Sequence, residues 1–267
     1  MNYNKSTIVL FRNDDVNELT SELKAVTDVL YSRGIPLTHT VEPGNVTEET
    51  VSWLKELKRD NPSLIEIVQH GWQHAQHGSG EFGDERSYEE QFNDLSRGKK
   101  RLQELFGDDL FNMLTIPFGV FNSDTIKAAV ALDFEVFCVH FNRKLSRRIF
   151  YTVGHILNRG DIFGKKVSNH LRNYPGTKMF EIDSAVSFIK KYYGHDTNDC
   201  LFREHDDIME EFAEYRRMIN VVVLLLHHRF HYKPEHIALI ERVADSLKSD
   251  PTVEFSTYEG VYKRFKS

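Results

Sequence analysis

Hydrophobic and polar positions alternate along the chain in blocks that predict a succession of strands and helices. Ser6 to Phe11 is an apolar, β-branched run of the length expected for a strand buried on both faces. It stops at the polar stretch Arg12 to Asp15. From Asn17 to Arg33 apolar residues recur every three or four positions, which predicts a helix that Gly34 ends.

This strand-and-helix unit recurs in the first half of the chain and again near its end. The further strands are predicted at Leu37–Val41, Leu64–Val68, Asn112–Ile116, Phe134–Val139, Asn220–Leu226 and Val253–Phe255. The further helices are predicted at Glu48–Arg59, Tyr88–Phe106, Ser123–Ala131, Asp206–Met218 and Glu235–Leu247. Alternation of this kind favours a parallel α/β sheet or barrel. The stretch from Leu145 to Tyr193 has no clear periodicity and stays unassigned.

Composition and charge narrow the class of protein. The 267 residues, 40% of them hydrophobic, supply enough apolar material for a substantial core. No Pro- or Ser-rich linker divides the chain, so we expect one domain over 1–267 with an insertion around 145–199. A net charge of −6 gives no overall electrostatic reason to hold nucleic acid or an anionic membrane.

Targeting signals and cysteine usage indicate a compartment. Cys138 and Cys200 stand in no metal-binding spacing, which fits a reducing environment. The N-terminus has no long apolar region of a secretion signal. The longest aliphatic run, Val221 to Leu226, is far shorter than the roughly 20 residues that a transmembrane helix needs. We therefore expect a cytoplasmic protein without a transmembrane segment.

Polar residues gather just beyond the predicted strand ends, where parallel α/β proteins assemble their sites. They are Asp14 and Asp15, His70 and His74, Pro117 to Gly119, and His227 and His228. The adjacent carboxylates fit a surface turn or a helix N-terminus. The other interpretation is a site in which one binds a metal while the other takes a proton from water on that metal.

Histidines supply the other candidate ligands. His70 and His74 are four residues apart, so on a helical turn both imidazoles meet on one side and can share a metal ion; the alternative is a surface histidine cluster. His227 and His228 offer a general acid, or a structural histidine at a strand end. The aromatic residues Trp72, Phe118 and Phe121 would form an apolar wall for a sugar, or simply belong to the core.

Two other motifs do not describe this chain. The stretch Gly78 to Gly83 matches GxGxxG, but it follows no strand and opens no helix, so a dinucleotide site is not indicated. There is no HExxH, which excludes the commonest metalloprotease pattern.

Together these segments resemble the polysaccharide deacetylase family of metal-dependent carbohydrate esterases. Four short motifs carry the likeness: Arg12-Asn13-Asp14-Asp15-Val16, the HxxxH of His70 and His74, Thr115-Ile116-Pro117-Phe118-Gly119, and Leu226-His227. The first has the variant RxDDV form. In the third, Thr115 stands where the family usually has an arginine that pairs with the base, although Arg12 offers a charge from another direction.

The resemblance implies an irregular (β/α) barrel with seven strands and assigns roles to the motif residues. Asp15, His70 and His74 would hold one divalent metal ion, zinc by expectation, and Asp14 would be the catalytic base. His227 would protonate the leaving amine, with His228 left open as the acid. Substrate binding would involve Trp72 and Pro117, Phe118 and Gly119, where a backbone N–H would stabilise the oxyanion.

The resemblance therefore implies a deacetylase that acts on C–N bonds other than peptide bonds, with an N-acetylated sugar or related amide as substrate. A catalytically degenerate carbohydrate- or metal-binding protein on the same barrel is the alternative. A histidine-rich metal store is the third hypothesis. The expected partner is a small molecule or glycan, and the oligomeric state stays open.

Overall fold

The computed structural model describes residues 6–159, 170–193 and 199–266. The strands are β1 Thr7–Val16, β2 Leu37–Val41, β3 Ile65–His70, β4 Leu110–Thr115, β5 Val136–Cys138, β6 Arg172–Asn173, β7 Phe180–Glu181, β8 Val186–Ser187, β9 Ile189–Tyr192, β10 Cys200–Phe202, β11 Val221–His227 and β12 Val253–Phe255. The helices are α1 Ser21–Tyr31, α2 Glu48–Asp60, α3 Tyr88–Phe106, α4 Ser123–Ala131, α5 Leu145–Leu157, α6 His205–Arg216, α7 Pro234–Ser249 and α8 Tyr258–Phe265.

The fold is mixed α/β, as the alternation predicts. Most strands pair in parallel within each of two compact units, and β9 and β10 pair separately as an antiparallel hairpin. The expected number of seven barrel strands stays a prediction. Of the described helices, none combines the length and the apolar character that crossing a bilayer requires.

The first of two compact units consists of Met1–His39, Thr47–Glu66 and Ala185–Tyr258. Its central strand is β1, all of whose residues are buried, and β11 and β12 both pair with it in parallel. β8 extends the sheet beyond β11, and α1 packs against α7. The register of β1 with β11 makes Asp14 the partner of His227.

The second unit consists of Thr40–Val46, Ile67–Ser184 and Glu259–Ser267. β3, β4, β5 and β7 pair in parallel in that order, and β6 joins β7 in the antiparallel sense. Phe82 and Phe137 are fully buried in its hydrophobic core, over which α3 packs against α4. Each unit is built from three separate stretches of chain. The single domain over 1–267 stays a prediction.

The first strand and helix differ from the prediction at their junction. β1 continues to Val16, so the polar residues from 12 to 15 lie within the strand instead of in a corner after it. Pairing with β11 as far as Asp14 explains the extension, because the ladder continues to satisfy the backbone. α1 begins only at Ser21, where the N-cap Thr20 accepts a hydrogen bond from the Leu23 N–H at 3.1 Å.

The stretch left unassigned from the sequence contains helix α5 and the short strands β6 to β9. Most of these strands have only two residues, too few to show a period of two in the sequence. Residues 160–169 and 194–198 of the expected insertion lie outside the described part of the chain. The insertion itself stays a prediction.

Candidate metal and catalytic site

Arg12 and Asp14 form a buried ion pair near the end of β1. Arg12 Nε donates to Asp14 Oδ1 at 2.7 Å, and Arg12 Nη2 donates to Asp14 Oδ2 at 2.6 Å. Both side chains are only 5% exposed. Residues two apart in a strand point to the same face, which allows the pair to form within one strand. Two parallel charge-assisted bonds hold the Asp14 carboxylate in one orientation.

His227 ends β11 beside Asp14, with His227 Nε2 4.0 Å from Asp14 Oδ2. The neighbouring His228 has a buried side chain, and this burial lowers its pKa to about 4. Its backbone N–H donates to Asn13 Oδ1 at 2.9 Å, which ties the start of the turn after β11 to β1. Of the two adjacent histidines, His227 is therefore the one placed beside the Asp14 carboxylate.

Tyr192 lies next to His227, and sequence reasoning missed it. Its hydroxyl is 3.3 Å from His227 Nδ1, and the two rings meet edge to face with centroids 5.8 Å apart. Burial raises the pKa of Tyr192, and the Asp15 and Asp14 carboxylates raise it further, so the phenol stays protonated at neutral pH. Tyr192 ends β9, in the unassigned stretch, where no motif points to it.

Asp15 follows Asp14 with a buried side chain and a left-handed backbone, at a φ of 64°. This conformation is uncommon for residues other than glycine, although aspartate visits it more readily than most. The strict alternation of a strand therefore stops at Asp15. Unusual backbone conformations concentrate at functional sites, and this one falls within the first motif.

His70 ends β3 and is held by Thr115 at the end of β4. The Thr115 hydroxyl lies 2.7 Å from His70 Nδ1 and donates its own hydrogen to the Gln69 carbonyl at 3.0 Å. The Thr115 oxygen therefore accepts from His70 Nδ1–H, which assigns the proton to Nδ1 and the lone pair to Nε2. Thr115 orients the imidazole in the way that outer partners orient metal-ligating histidines.

The loop after β3 brings His74 back towards His70. Their ring centroids lie 5.6 Å apart, but the expected helical turn is wrong: residues 71–75 are irregular, and Gly71 and His74 both have positive φ. The buried Glu81 carboxylate shapes the loop by accepting the backbone N–H groups of Trp72 and Gln73 at 3.1 and 2.7 Å. Burial raises the pKa of Glu81.

Gly71 permits this loop, because a Cβ there would collide with the Glu81 carboxylate and the Pro117 ring. Glu81 belongs to the stretch that matches GxGxxG in the sequence. It anchors the histidine loop by hydrogen bonds to three backbone N–H groups. The available signal was a glutamate among glycines in the sequence. The backbone groups that it binds could not be predicted from the sequence.

The third motif forms a short 3₁₀ turn, Pro117–Gly119, directly after β4. Phe118 has a left-handed backbone, and its ring centroid lies 4.2 Å from that of His74. Trp72 is buried, with the Arg97 guanidinium 4.4 Å above its ring. This packing does not favour a sugar stacked on Trp72, whose substrate-binding role stays a prediction.

Three side chains among the described residues have the composition of a metal site. The first unit supplies the buried Asp15 carboxylate, and the second supplies the His70 and His74 imidazoles, which face each other across the loop. One carboxylate and two imidazoles are a ligand set that zinc and other transition metals accept.

Solved structures similar to this chain belong to deacetylases and esterases. A protein from Mycobacterium smegmatis described as a polysaccharide deacetylase is 13% identical, with a TM-score of 0.67 over 98% of this chain and 91% of its own. A family 4 acetyl xylan esterase from Clostridium thermocellum, in complex with a cobalt ion, is 13% identical, with a TM-score of 0.57 over 96% of this chain and 91% of its own.

A third structure is that of a mutant of BA3943, a pseudoenzyme of carbohydrate esterase family 4, with restored enzymatic activity. It is 13% identical, with a TM-score of 0.57 over 97% of this chain and 69% of its own. At these identities the likeness shows the fold alone, and it confirms the (β/α) barrel type that the motifs imply.

Sequence comparison identifies the family. No curated protein matches the chain. The family model for polysaccharide deacetylases matches residues 2–137, which is half of the chain and includes the first three motifs. The chain belongs to the polysaccharide deacetylase family.

Proposed function

We propose that this protein is a metal-dependent hydrolase that removes an acetyl group from an N-acetylated sugar or a related amide. The observation that carries the proposal is the arrangement around Asp14. Arg12 fixes this buried carboxylate, and the His227 ring stands 4.0 Å away. Hydrolysis of an amide needs a base for the attacking water and an acid for the leaving amine. Asp14 and His227 supply one of each.

The donor set of Asp15, His70 and His74 fits a divalent metal ion. Because Thr115 occupies the Nδ1 side of His70, Nε2 is the nitrogen directed to a ligand. The mixture of imidazole and carboxylate donors suits zinc, with further positions left for water and substrate. The likeness to an esterase structure that contains cobalt supports a transition metal. We therefore assign these three residues as zinc ligands.

The residues of the chain divide the chemistry as follows. A bound zinc ion would supply Lewis acidity that lowers the pKa of water and polarises the acetyl carbonyl. Asp14 takes the proton of the attacking water, and Arg12 keeps its carboxylate aligned. His227 gives a proton to the departing nitrogen, because an amine leaves readily only when protonated.

Stabilisation of the oxyanion falls to the third motif. Pro117 has no N–H, and the Gly119 N–H donates to the Ile116 carbonyl at 3.2 Å. The assignment is therefore confined to the N–H of Phe118, whose left-handed backbone sets the direction of that group. The Phe118 ring also packs on the ring of His74, a proposed metal ligand, and this contact supports the assignment.

A catalytically degenerate binding protein is the second candidate, because Thr115 replaces the arginine that the family uses beside the base. The Arg12 fork supplies a cation to Asp14 from its own strand, which favours the enzyme. A metal store would bind several ions per chain, whereas the proposed site binds one. Metal analysis of the purified protein therefore separates the metal store from a protein with the single proposed site.

The decisive experiment measures acetate release from oligomers of N-acetylglucosamine by the zinc-loaded protein. In Asp14→Asn we expect kcat to fall by about 10²–10⁴-fold, the usual contribution of a general base, with unchanged zinc content. Asp28→Asn, on the exposed face of α1, is the matched control. Full zinc-dependent activity in Asp14→Asn would falsify the base assignment. One bound zinc without acetate release from any N-acetylated sugar would indicate the degenerate protein.

A further inference from the structure

Helix α5 presents an apolar face to solvent. Leu145, Ile149 and Val153 recur at intervals of four, and Ile156 and Leu157 continue the same side of the helix. These five side chains are 69%, 57%, 40%, 73% and 57% exposed, in the order Leu145, Ile149, Val153, Ile156 and Leu157. The opposite side of the helix is the one that packs, since Tyr151 and Gly154 are buried. The exposed stripe is therefore additional to the face that holds α5 in the fold.

The charged residues in the segment that carries this stripe are all positive. The segment from Arg143 to Arg159 contains five arginine and lysine residues and no aspartate or glutamate, although the whole chain has a net charge of −6. Lys144 and Arg148 are exposed at the N-terminal end of the stripe. Such a local concentration of positive charge in an acidic protein favours an anionic partner.

We propose that the α5 face binds the surface of a lipid bilayer that contains anionic phospholipids. Exposed leucine and isoleucine side chains would enter the boundary between headgroups and acyl chains, while Lys144 and Arg148 contact the phosphates. The helix has 13 residues, and an amphipathic helix of this kind lies in the plane of the interface.

A second copy of the chain fits the same face less well. A two-fold interface places a surface patch against itself, so two copies of this positive segment would repel each other. An anionic bilayer instead matches both the apolar stripe and the charge. Lipid is therefore the occupant to which the observations point.

The test is co-sedimentation of the full chain with vesicles of phosphatidylcholine, alone or mixed with phosphatidylglycerol. We expect binding to the mixed vesicles, weakened by added salt, and little binding to phosphatidylcholine alone. Equal recovery in the supernatant with and without phosphatidylglycerol would overturn the proposal.

Two double variants show whether α5 is responsible. Ile149→Asp with Ile156→Asp removes apolar area, and Lys144→Glu with Arg148→Glu reverses charge. Each should weaken vesicle binding about tenfold or more, since the first removes apolar contact with the interface and the second replaces attraction to anionic lipid with repulsion. Leu201→Asp and Arg242→Glu, exposed on β10 and α7, are the matched controls. Circular dichroism confirms that each variant is folded.

Sedimentation equilibrium of the same proteins tests the competing occupant, a second copy of the chain. In the absence of lipid, the proposal expects the parent and the α5 variants to have the same molecular mass. A parent dimer that the Ile149→Asp and Ile156→Asp pair converts to a monomer would overturn it in favour of a second copy. Unchanged vesicle binding by both double variants would also overturn it.

Discussion

Arg12 and Asp14 pair through two hydrogen bonds although they are only two residues apart on one strand. The family motif usually has an arginine where this chain has Thr115, and Arg12 of the variant first motif supplies a cation to Asp14 from the same strand. The loss of the motif arginine therefore does not leave the proposed base without a cation.

Arg12→Lys should separate charge from geometry. Lysine keeps the positive charge but cannot form two parallel bonds, so the Asp14 carboxylate loses its fixed orientation. We expect kcat to fall by about a hundredfold, the effect of a small misplacement of a catalytic group. Arg33→Lys is the matched control, because Arg33 makes a similar but exposed fork to Asp245 on the surface.

Arg12→Met tests the contribution of the same pair to the free energy of unfolding. The variant removes the Arg12 cation from the buried Asp14 carboxylate, a change that costs about 3–5 kcal/mol in comparable buried pairs. Urea unfolding of the metal-free protein measures the free energy directly. A loss below 1 kcal/mol, about the value of an exposed pair, would mean that another group compensates the Asp14 charge.

Thr115→Val should weaken metal binding without touching a proposed ligand. The valine has nearly the same shape but offers no acceptor to His70 Nδ1, so the imidazole loses its orienting bond. We expect zinc affinity to fall by about 10–100-fold, measured by competition with a chromogenic chelator. Thr115→Ser keeps the hydroxyl and should bind zinc like the parent. Equal affinity in the valine and serine variants would argue against the orienting role.

Tyr192→Phe should affect turnover more than binding. The phenol hydrogen-bonds His227 Nδ1, so the variant removes one of the contacts that orient the proposed acid. We expect kcat to fall about tenfold, the worth of roughly 1.4 kcal/mol, with little change in KM or zinc content. Nitrogen-15 chemical shifts of the His227 ring should report a changed tautomer balance. Tyr193→Phe, an exposed neighbour, is the control; a kcat like the parent's in Tyr192→Phe would exclude the positioning role.

The main strands and helices could be predicted because their apolar periodicity is strong. The strand ends could not, since β1 continues into the polar stretch where β11 pairs with Arg12, Asn13 and Asp14. Helix α5 escaped prediction for a related reason. Its apolar residues face solvent as well as the core, so they do not mark a single buried side.

The candidate site also has a part that could be predicted and a part that could not. Short local motifs in the sequence pointed to Asp14, Asp15, His70, His74 and His227. The residues that hold them are Thr115, Glu81 and Tyr192, whose hydrogen bonds to the histidines and their loop span 6 to 45 residues along the chain. Such partners become visible only when the strands are paired. The supporting interactions were therefore the part that sequence reasoning missed.

Three buried histidines should make the fold sensitive to mild acid. Burial lowers the pKa of His39 to about 3, that of His228 to about 4 and that of His231 to about 3, from an ordinary value of 6.5. The unfolded chain therefore binds protons below pH 6.5 that the folded chain rejects. Stability should fall as the pH decreases from 6.5 towards 4, with a slope for each histidine that approaches about 1.4 kcal/mol per pH unit near pH 5.

His39→Gln isolates one of these contributions. Neither ring nitrogen of His39 has a hydrogen-bond partner among the described residues, so the variant removes a titrating group without breaking a described bond. We expect a shallower loss of unfolding free energy between pH 6 and pH 4 in the metal-free protein, by about 1.4 kcal/mol per pH unit. The exposed His77→Gln should keep the parent's slope. Parallel curves for His39→Gln and the parent would show that His39 is already protonated in the fold.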